Sequence, residues 1–142
     1  MSTLNAAVNA SASALAAERT RIEVAVSNMA NAESTRGPDG KPYRRRDVVL
    51  ASAPVDSFES ALGNAGATGV QVAEVIQDQT SGRRRYEPSH PDADKEGYVE
   101  VPNVDPAAEM VDMLSAARAY QANLTAINLI RDVVQRALEL GR

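Results

Sequence analysis

The residues most suited to metal or acid–base chemistry lie together in one short polar segment. The single histidine, His90, stands in the sequence HPDAD with Asp92 and Asp94. Oxygen ligands at alternating positions can converge on a hard cation such as Ca²⁺, and a metal-dependent enzyme that uses these three residues is one interpretation. The segment lacks the distal glutamate of an EF-hand, and aspartates in proline-flanked turns commonly accept backbone hydrogen bonds. We therefore favour a turn, with no metal, no cofactor and no catalytic residue.

Two arginine triplets, at residues 44–46 and 83–85, are the other candidates for ligand binding. Clustered arginines can bind phosphate, but acids such as Asp47, Asp78 and Glu87 stand beside them, and the formal charge of the chain is −4. The sequence also lacks a glycine-rich phosphate-binding loop. We expect solvated loops, or arginines that pair with a neighbour's carboxylates, and no nucleic-acid partner.

The composition disfavours a large hydrophobic core. The 142 residues include no tryptophan, no cysteine and one phenylalanine, and aromatic side chains bury the largest areas. Without cysteine there is no disulfide framework. The N-terminus lacks the basic start and apolar centre of a cleavable signal peptide, and no apolar run approaches the roughly 20 residues of a membrane span. We expect no insertion into a membrane.

The placement of proline divides the chain into three segments. All seven prolines lie between Pro38 and Pro106, and proline breaks helix interiors. We predict an N-terminal helical arm at residues 1–35, a β and loop region at 36–104, and a C-terminal helical arm at 105–142. Asp105 followed by Pro106 is typical of a helix start, and Gly141 of a helix end.

Both arms carry apolar residues at alternating intervals of three and four, the spacing of a helix face that packs on another helix. In the N-terminal arm they are Leu4, Val8, Leu15, Ile22, Ala25 and Met29. In the C-terminal arm they are Met110, Met113, Leu114, Ala117, Tyr120, Leu124, Ile127, Val134 and Leu138. We predict a mainly α fold in which the arms, each about 45–50 Å long at about 1.5 Å per residue, pair as a coiled-coil hairpin. A private hairpin explains part of this pattern, but the C-terminal stripe is wider than one partner needs, so we assign both stripes to an assembly seam.

The middle region predicts short strands separated by loops. Residues 45–53 and 69–77 are rich in β-branched side chains and bounded by glycine or proline, and residues 98–101 form a shorter candidate. Residues 81–97 are polar, contain several prolines and show no periodicity, so we expect a long loop there.

Two motifs resemble those of the bacterial flagellar rod and hook protein family. The first arm ends in SNMANAEST, in which Ser27, Asn28, Asn31, Ala32 and Thr35 match the family's asparagine-rich motif. The second arm carries RAYQAN, in which Arg118, Tyr120, Gln121 and Asn123 match the C-terminal motif. Residues 89–105 and the shortness of the chain resemble the proximal-rod members of this family.

This resemblance implies a structural subunit of the flagellar rod and no enzyme. It implies export of the unfolded chain through the flagellar export apparatus without a cleavable signal, and a place in the periplasmic part of the basal body. The partners it implies are further copies, other rod proteins and the MS-ring side of the basal body. We expect the arms to pack side by side as a helical tube that transmits torque, with His90, Asp92 and Asp94 in an inter-subunit loop. A cytoplasmic adaptor whose helical hairpin captures a partner helix is the alternative interpretation.

Overall fold

The chain begins with one long helix, continues through four strands and ends with a second long helix. A computed structural model describes residues 2–37, 40–54 and 68–140. It contains helix α1 (Ser2–Ala30), strands β1 (Arg46–Pro54), β2 (Thr68–Gln77), β3 (Arg83–Tyr86) and β4 (Tyr98–Val101), and helix α2 (Pro106–Leu140). The helices hold 29 and 35 residues, so the expected mainly α fold is only part of an architecture that also has two small antiparallel sheets. Neither helix, over the residues described, is long and apolar enough to cross a membrane.

Helix α1 packs against α2 and also against the β1–β2 sheet. Asn28, near the end of α1, contacts Glu109, in the first turn of α2. Tyr120 lies close enough to Arg19 to interact with it electrostatically, so the two helices run antiparallel. The most buried residues of the helices are largely alanines, among them Ala17, at 2% exposed, and Ala116, at 0%.

The start of α2 follows from local chemistry. Asp105 accepts a hydrogen bond from the Ala107 N–H at 3.0 Å through Oδ1, and Pro106 occupies the first helical position. The aspartate cap satisfies the Ala107 N–H, and Pro106 has no N–H to satisfy. The helix start predicted at Asp105 and Pro106 is therefore confirmed. The predicted stop at Gly141 lies outside the described residues.

Strands β1 and β2 form an antiparallel pair whose register runs from Arg46 opposite Gln77 to Pro54 opposite Thr68. The register shifts between Val49 and Leu50, as it does where one strand carries an extra residue. The strands predicted at 45–53 and 69–77 are therefore confirmed to within one residue at each end.

A second antiparallel pair joins β3 to β4 inside the stretch for which we expected only a loop. That expectation was wrong at Arg83–Tyr86, whereas the strand predicted at 98–101 is confirmed. Strand β4 alternates between exposed and buried residues, and its Val99 and Val101 are buried. All four residues of β3 are exposed, so its sequence has no alternation of apolar and polar residues that would predict a strand. It is a strand because it pairs with β4.

Candidate assembly surface

The HPDAD segment forms a turn. The His90 Nδ1 atom accepts a hydrogen bond from the Asp92 N–H at 3.1 Å, and the Ala93 N–H donates to the His90 carbonyl at 3.0 Å. The Asp92 carboxylate accepts a hydrogen bond from Thr35 at 2.8 Å and pairs with Arg36 at 3.2 Å. The turn is thereby tied to the segment that follows α1.

Asp94 closes the same turn. Its Oδ1 atom accepts hydrogen bonds from the Glu96 and Tyr98 N–H groups at 2.8 and 2.9 Å, and Arg84 pairs with its Oδ2. The backbone hydrogen bond from Tyr98, followed by that from Glu96 and the charge of Arg84, lowers the pKa of Asp94. Across residues 2–37, 40–54 and 68–140, no group of three metal-ligating side chains comes together. All these contacts are those of a structural turn.

Asn28, from the first motif, is the centre of a buried polar junction. Its Nδ2 atom donates to the Arg46 carbonyl at 2.8 Å and to Glu109 Oε2 at 2.9 Å. Its Oδ1 atom accepts from the Arg46 N–H and the Tyr43 hydroxyl, each at 2.9 Å. An asparagine amide offers two donors and an acceptor with two lone pairs, so all of its capacity is used. One side chain at 1% exposure thus joins α1, β1 and α2.

Glu109 completes this junction from α2. It is 2% exposed, and its Oε1 atom accepts a hydrogen bond from Arg45 Nε at 2.6 Å. Burial opposes the charge on Arg45, but the hydrogen bond and the charge of Glu109 outweigh it and raise the pKa of Arg45. Asp112 and Asp47, at 3.7 and 3.4 Å from Arg45, add weaker contacts. The buried carboxylate is therefore paired and hydrogen-bonded, as a buried charge requires.

Most of the remaining motif residues form hydrogen bonds at the end of α1 or within α2, or are buried on a helix face. Asn31 Nδ2 donates to the Ser27 carbonyl at 2.8 Å, where α1 ends, and Ala32 is buried. Asn123 Nδ2 donates to the Ala119 carbonyl within α2 at 2.9 Å. In the second motif Tyr120 and Asn123 are half-buried, while Arg118 and Gln121 are exposed.

Helix α2 presents a partly buried row and an exposed apolar surface. The row alternates by four and three along Glu109, Met113, Ala116, Tyr120, Asn123, Ile127, Ile130 and Val134, which are buried or half-buried. The large apolar side chains that stay exposed are Met110, Val111, Leu114, Leu124, Leu129, Val133, Leu138 and Leu140. The apolar stripe predicted for the C-terminal arm therefore includes residues of the row and residues outside it. Met113, Tyr120, Ile127 and Val134 lie in the row, whereas Met110, Leu114, Ala117, Leu124 and Leu138 lie outside it.

The predicted N-terminal stripe is partly covered. Ala25 is buried, Leu4 is 38% exposed, and the other four members are half-buried, namely Val8, Leu15, Ile22 and Met29. The deepest positions of α1 include Ala17 and Asn28, which are not in that stripe. The covered face of α1 therefore includes most of the predicted stripe together with these two residues.

Sequence reasoning missed the polar junction. Glu109 was noticeable only as an acid in the first turn of a helix, where it complements the helix dipole. Its partners Asn28 and Arg45 lie 81 and 64 residues away in sequence. The single signal available was the asparagine motif itself.

Comparisons with known proteins match almost the whole chain. A family model for the C-terminal part of the flagellar basal body rod FlgEFG proteins matches residues 95–140. The flagellar basal-body rod protein FlgC of Bacillus subtilis (strain 168) is 44% identical, over 95% of this chain and 96% of that protein. FlgC of Salmonella typhimurium is 46% identical over 92% of each chain. FlgC of Borreliella burgdorferi is 40% identical over 96% of this chain and 97% of that protein.

Proposed function

The chain belongs to the FlgC family of flagellar basal-body rod proteins, and from this we propose that it assembles through its two terminal helices. The family is structural, so the chain is a structural subunit of the flagellar basal body and not an enzyme. In our proposal α1 and α2 pair as a coiled-coil hairpin. Hairpins of neighbouring subunits then pack side by side into a helical tube that transmits motor torque.

The exposed apolar surface of α2 carries this proposal. Val111, Leu129 and Leu138 are each 64–68% exposed, and large apolar patches on a protein surface commonly mark interaction sites. The partly buried row of α2 has the alternating spacing of a coiled-coil seam. The row supplies the contact with α1, and the exposed surface supplies contacts with neighbouring subunits. Contacts between different faces of neighbouring subunits build an open helical array when the rotation from one subunit to the next does not close a ring.

The proposal extends to partners and location. Further copies, other rod proteins and the MS-ring side of the basal body are the partners. The turn at His90, Asp92 and Asp94 contacts an adjacent subunit. The chain passes unfolded through the flagellar export apparatus, without a cleavable signal, and assembles in the periplasmic space. A chain with no cysteine needs no oxidative folding after export, which supports this route.

Replacing Ile127 by aspartate tests the seam. Ile127 is half-buried in the row on α2, and an unpaired charge is costly to bury. We expect Ile127→Asp to abolish incorporation into isolated basal bodies and to abolish swimming of cells that carry only this variant.

The matched control is Ile127→Leu, which keeps an apolar side chain of equal volume at the same position of the row. This variant should swim. If Ile127→Asp also swims, the assignment of Ile127 to the seam is wrong. The family membership of the relatives does not favour the cytoplasmic adaptor, which would also require that the chain be absent from basal bodies.

A further inference from the structure

A basic groove lies below the end of α1, and the proposed assembly does not use it. The groove has a volume of about 750 Å³ and is lined by four cationic residues, Arg36, Lys41, Arg44 and Arg46. Its other lining residues include Asn31, Ser34, Tyr43, Gln77 and Gln79. None of the lining residues that the structure describes is acidic, although the chain as a whole has a charge of −4.

Two of these arginines have no acidic partner among the described residues. Arg44 donates only to neutral oxygens, the Gln79 side chain at 3.0 Å and the Asp78 carbonyl at 3.5 Å. The Arg46 guanidinium lies 5.7 Å from the centre of the Tyr43 ring. It forms no hydrogen bond or ion pair with the described part of the chain. Most of the donors of a guanidinium fork therefore stay free for an incoming acceptor.

The junction at Asn28 holds the groove in shape. The Asn28 amide donates to the backbone carbonyl of Arg46 and accepts from the backbone N–H of Arg46. It also accepts a hydrogen bond from the Tyr43 hydroxyl. The backbone of Arg46 and the ring of Tyr43 are thus fixed by one buried side chain. Preorganised side chains lose less conformational entropy when a partner binds.

From the groove's charge and rigidity we propose that it binds an acidic segment of a neighbouring protein in the rod, through carboxylates that pair with Arg44 and Arg46. This inference rests on the proposed assembly. Arginine and carboxylate form charge-assisted, often two-point hydrogen bonds. A short acidic segment contacts only the groove. A lipid surface or a nucleic acid would also face the acidic remainder of the chain, which repels it.

Site-specific photocrosslinking in assembled basal bodies tests the proposal. A photoreactive benzoylphenylalanine replaces Gln77, an exposed residue that lines the groove, in cells that carry no other copy of the chain. A second probe replaces Gln135, an exposed residue on α2. Each probe is combined with the double substitution Arg44→Gln and Arg46→Gln, and the cross-linked peptides are identified by mass spectrometry.

We expect the probe at 77 to capture a protein peptide rich in aspartate and glutamate. The double substitution should reduce that cross-link at least tenfold and leave the cross-link at 135 within about twofold. A peptide without surplus acid, a cross-link to lipid, or a yield at 77 that the substitutions leave unchanged would overturn the proposal. Loss of both cross-links in the double variant also counts against it, because the arginines would then act on folding or export.

The outcomes separate this inference from the proposed assembly. A cross-link at 135 with none at 77 leaves the assembly standing and shows that the groove is uncovered. No cross-link at either position, with intact arginines, means that α2 does not contact neighbours, and the proposed assembly itself fails.

Discussion

At the scale of single residues, one buried amide joins three segments of the chain. Asn28 satisfies all its hydrogen-bonding groups on three chain segments, and its partner Glu109 is almost fully buried. Buried polar networks are stabilising when every member is satisfied and costly when one member is lost. This explains in physical terms why an asparagine stands at this point of the first motif.

Replacing Asn28 by alanine should lower the free energy of unfolding by about 3 kcal/mol, because several buried groups lose their partners at once. Urea denaturation of the purified protein, followed by circular dichroism, measures this loss. Asn123→Ala is the matched control, since Asn123 bonds only within its own helix, and its cost should stay below about 1 kcal/mol. Equal losses in the two variants would show that the junction has no special role.

The carboxyl of Asp94 should titrate below the ordinary value of about 3.9 for aspartate. Its pKa is lowered first by the backbone hydrogen bond from Tyr98. A carboxyl with a lowered pKa stabilises the fold above its unfolded pKa, and that contribution is lost as the pH falls through its folded pKa. Carbon-detected NMR titration of the Asp94 carboxyl should give a lowered pKa. In the variant Arg84→Gln the pKa of Asp94 should still lie below the ordinary value. A return to that value in the variant would instead assign the shift to Arg84.

At the scale of helices and strands, the sequence was informative wherever structure follows from neighbouring residues. Asp105 and Pro106 determine the start of α2 by local capping, and β-branched runs mark β1 and β2. The exposed strand β3 could not be predicted, because only β4 gives it a partner. The deepest positions of α1 could not be predicted for a similar reason. They include the small residue Ala17 and the polar residue Asn28, which the spacing of large apolar residues does not indicate.

The close contact between the helices should be sensitive to added volume. Ala116 is fully buried, and the adjacent Ala117 is exposed. Ala116→Leu should destabilise the protein by about 2 kcal/mol through overpacking, whereas Ala117→Leu should change its stability by less than about 0.5 kcal/mol. Urea denaturation of both variants decides this. Similar stabilities would mean that the helices separate to admit the larger side chain.

At the scale of the whole molecule, the burial of side chains is unevenly distributed along the helix pair. The polar junction and the buried Val99, Val101 and Val104 lie at one end of the helix pair. Towards the other end, the exposed fraction of Leu138 and Leu140 rises to 68% and 89%. Stretches with little apolar burial open most easily. In the proposed assembly, neighbouring subunits cover this free end of the helix pair.

Amide hydrogen exchange should reveal this gradient in the dilute protein. We expect residues 25–32 and 104–113 to be protected, and residues 3–12 and 128–140 to exchange at least about a hundredfold faster. In isolated basal bodies the fast segments should become protected. Uniform protection of both helices in the dilute protein would show that the hairpin is self-sufficient, as the adaptor interpretation requires.

The polar junction also constrains the order of folding. Asn28 and Glu109 are separated by 81 residues, and closing so long a loop has an entropic cost that grows with its length. Proteins dominated by such distant contacts fold slowly. In the proposed export route the chain leaves the channel one end first. Asn28 and Glu109 cannot meet until both residues are outside the channel. The topology itself thus delays completion of the fold until most of the chain has emerged.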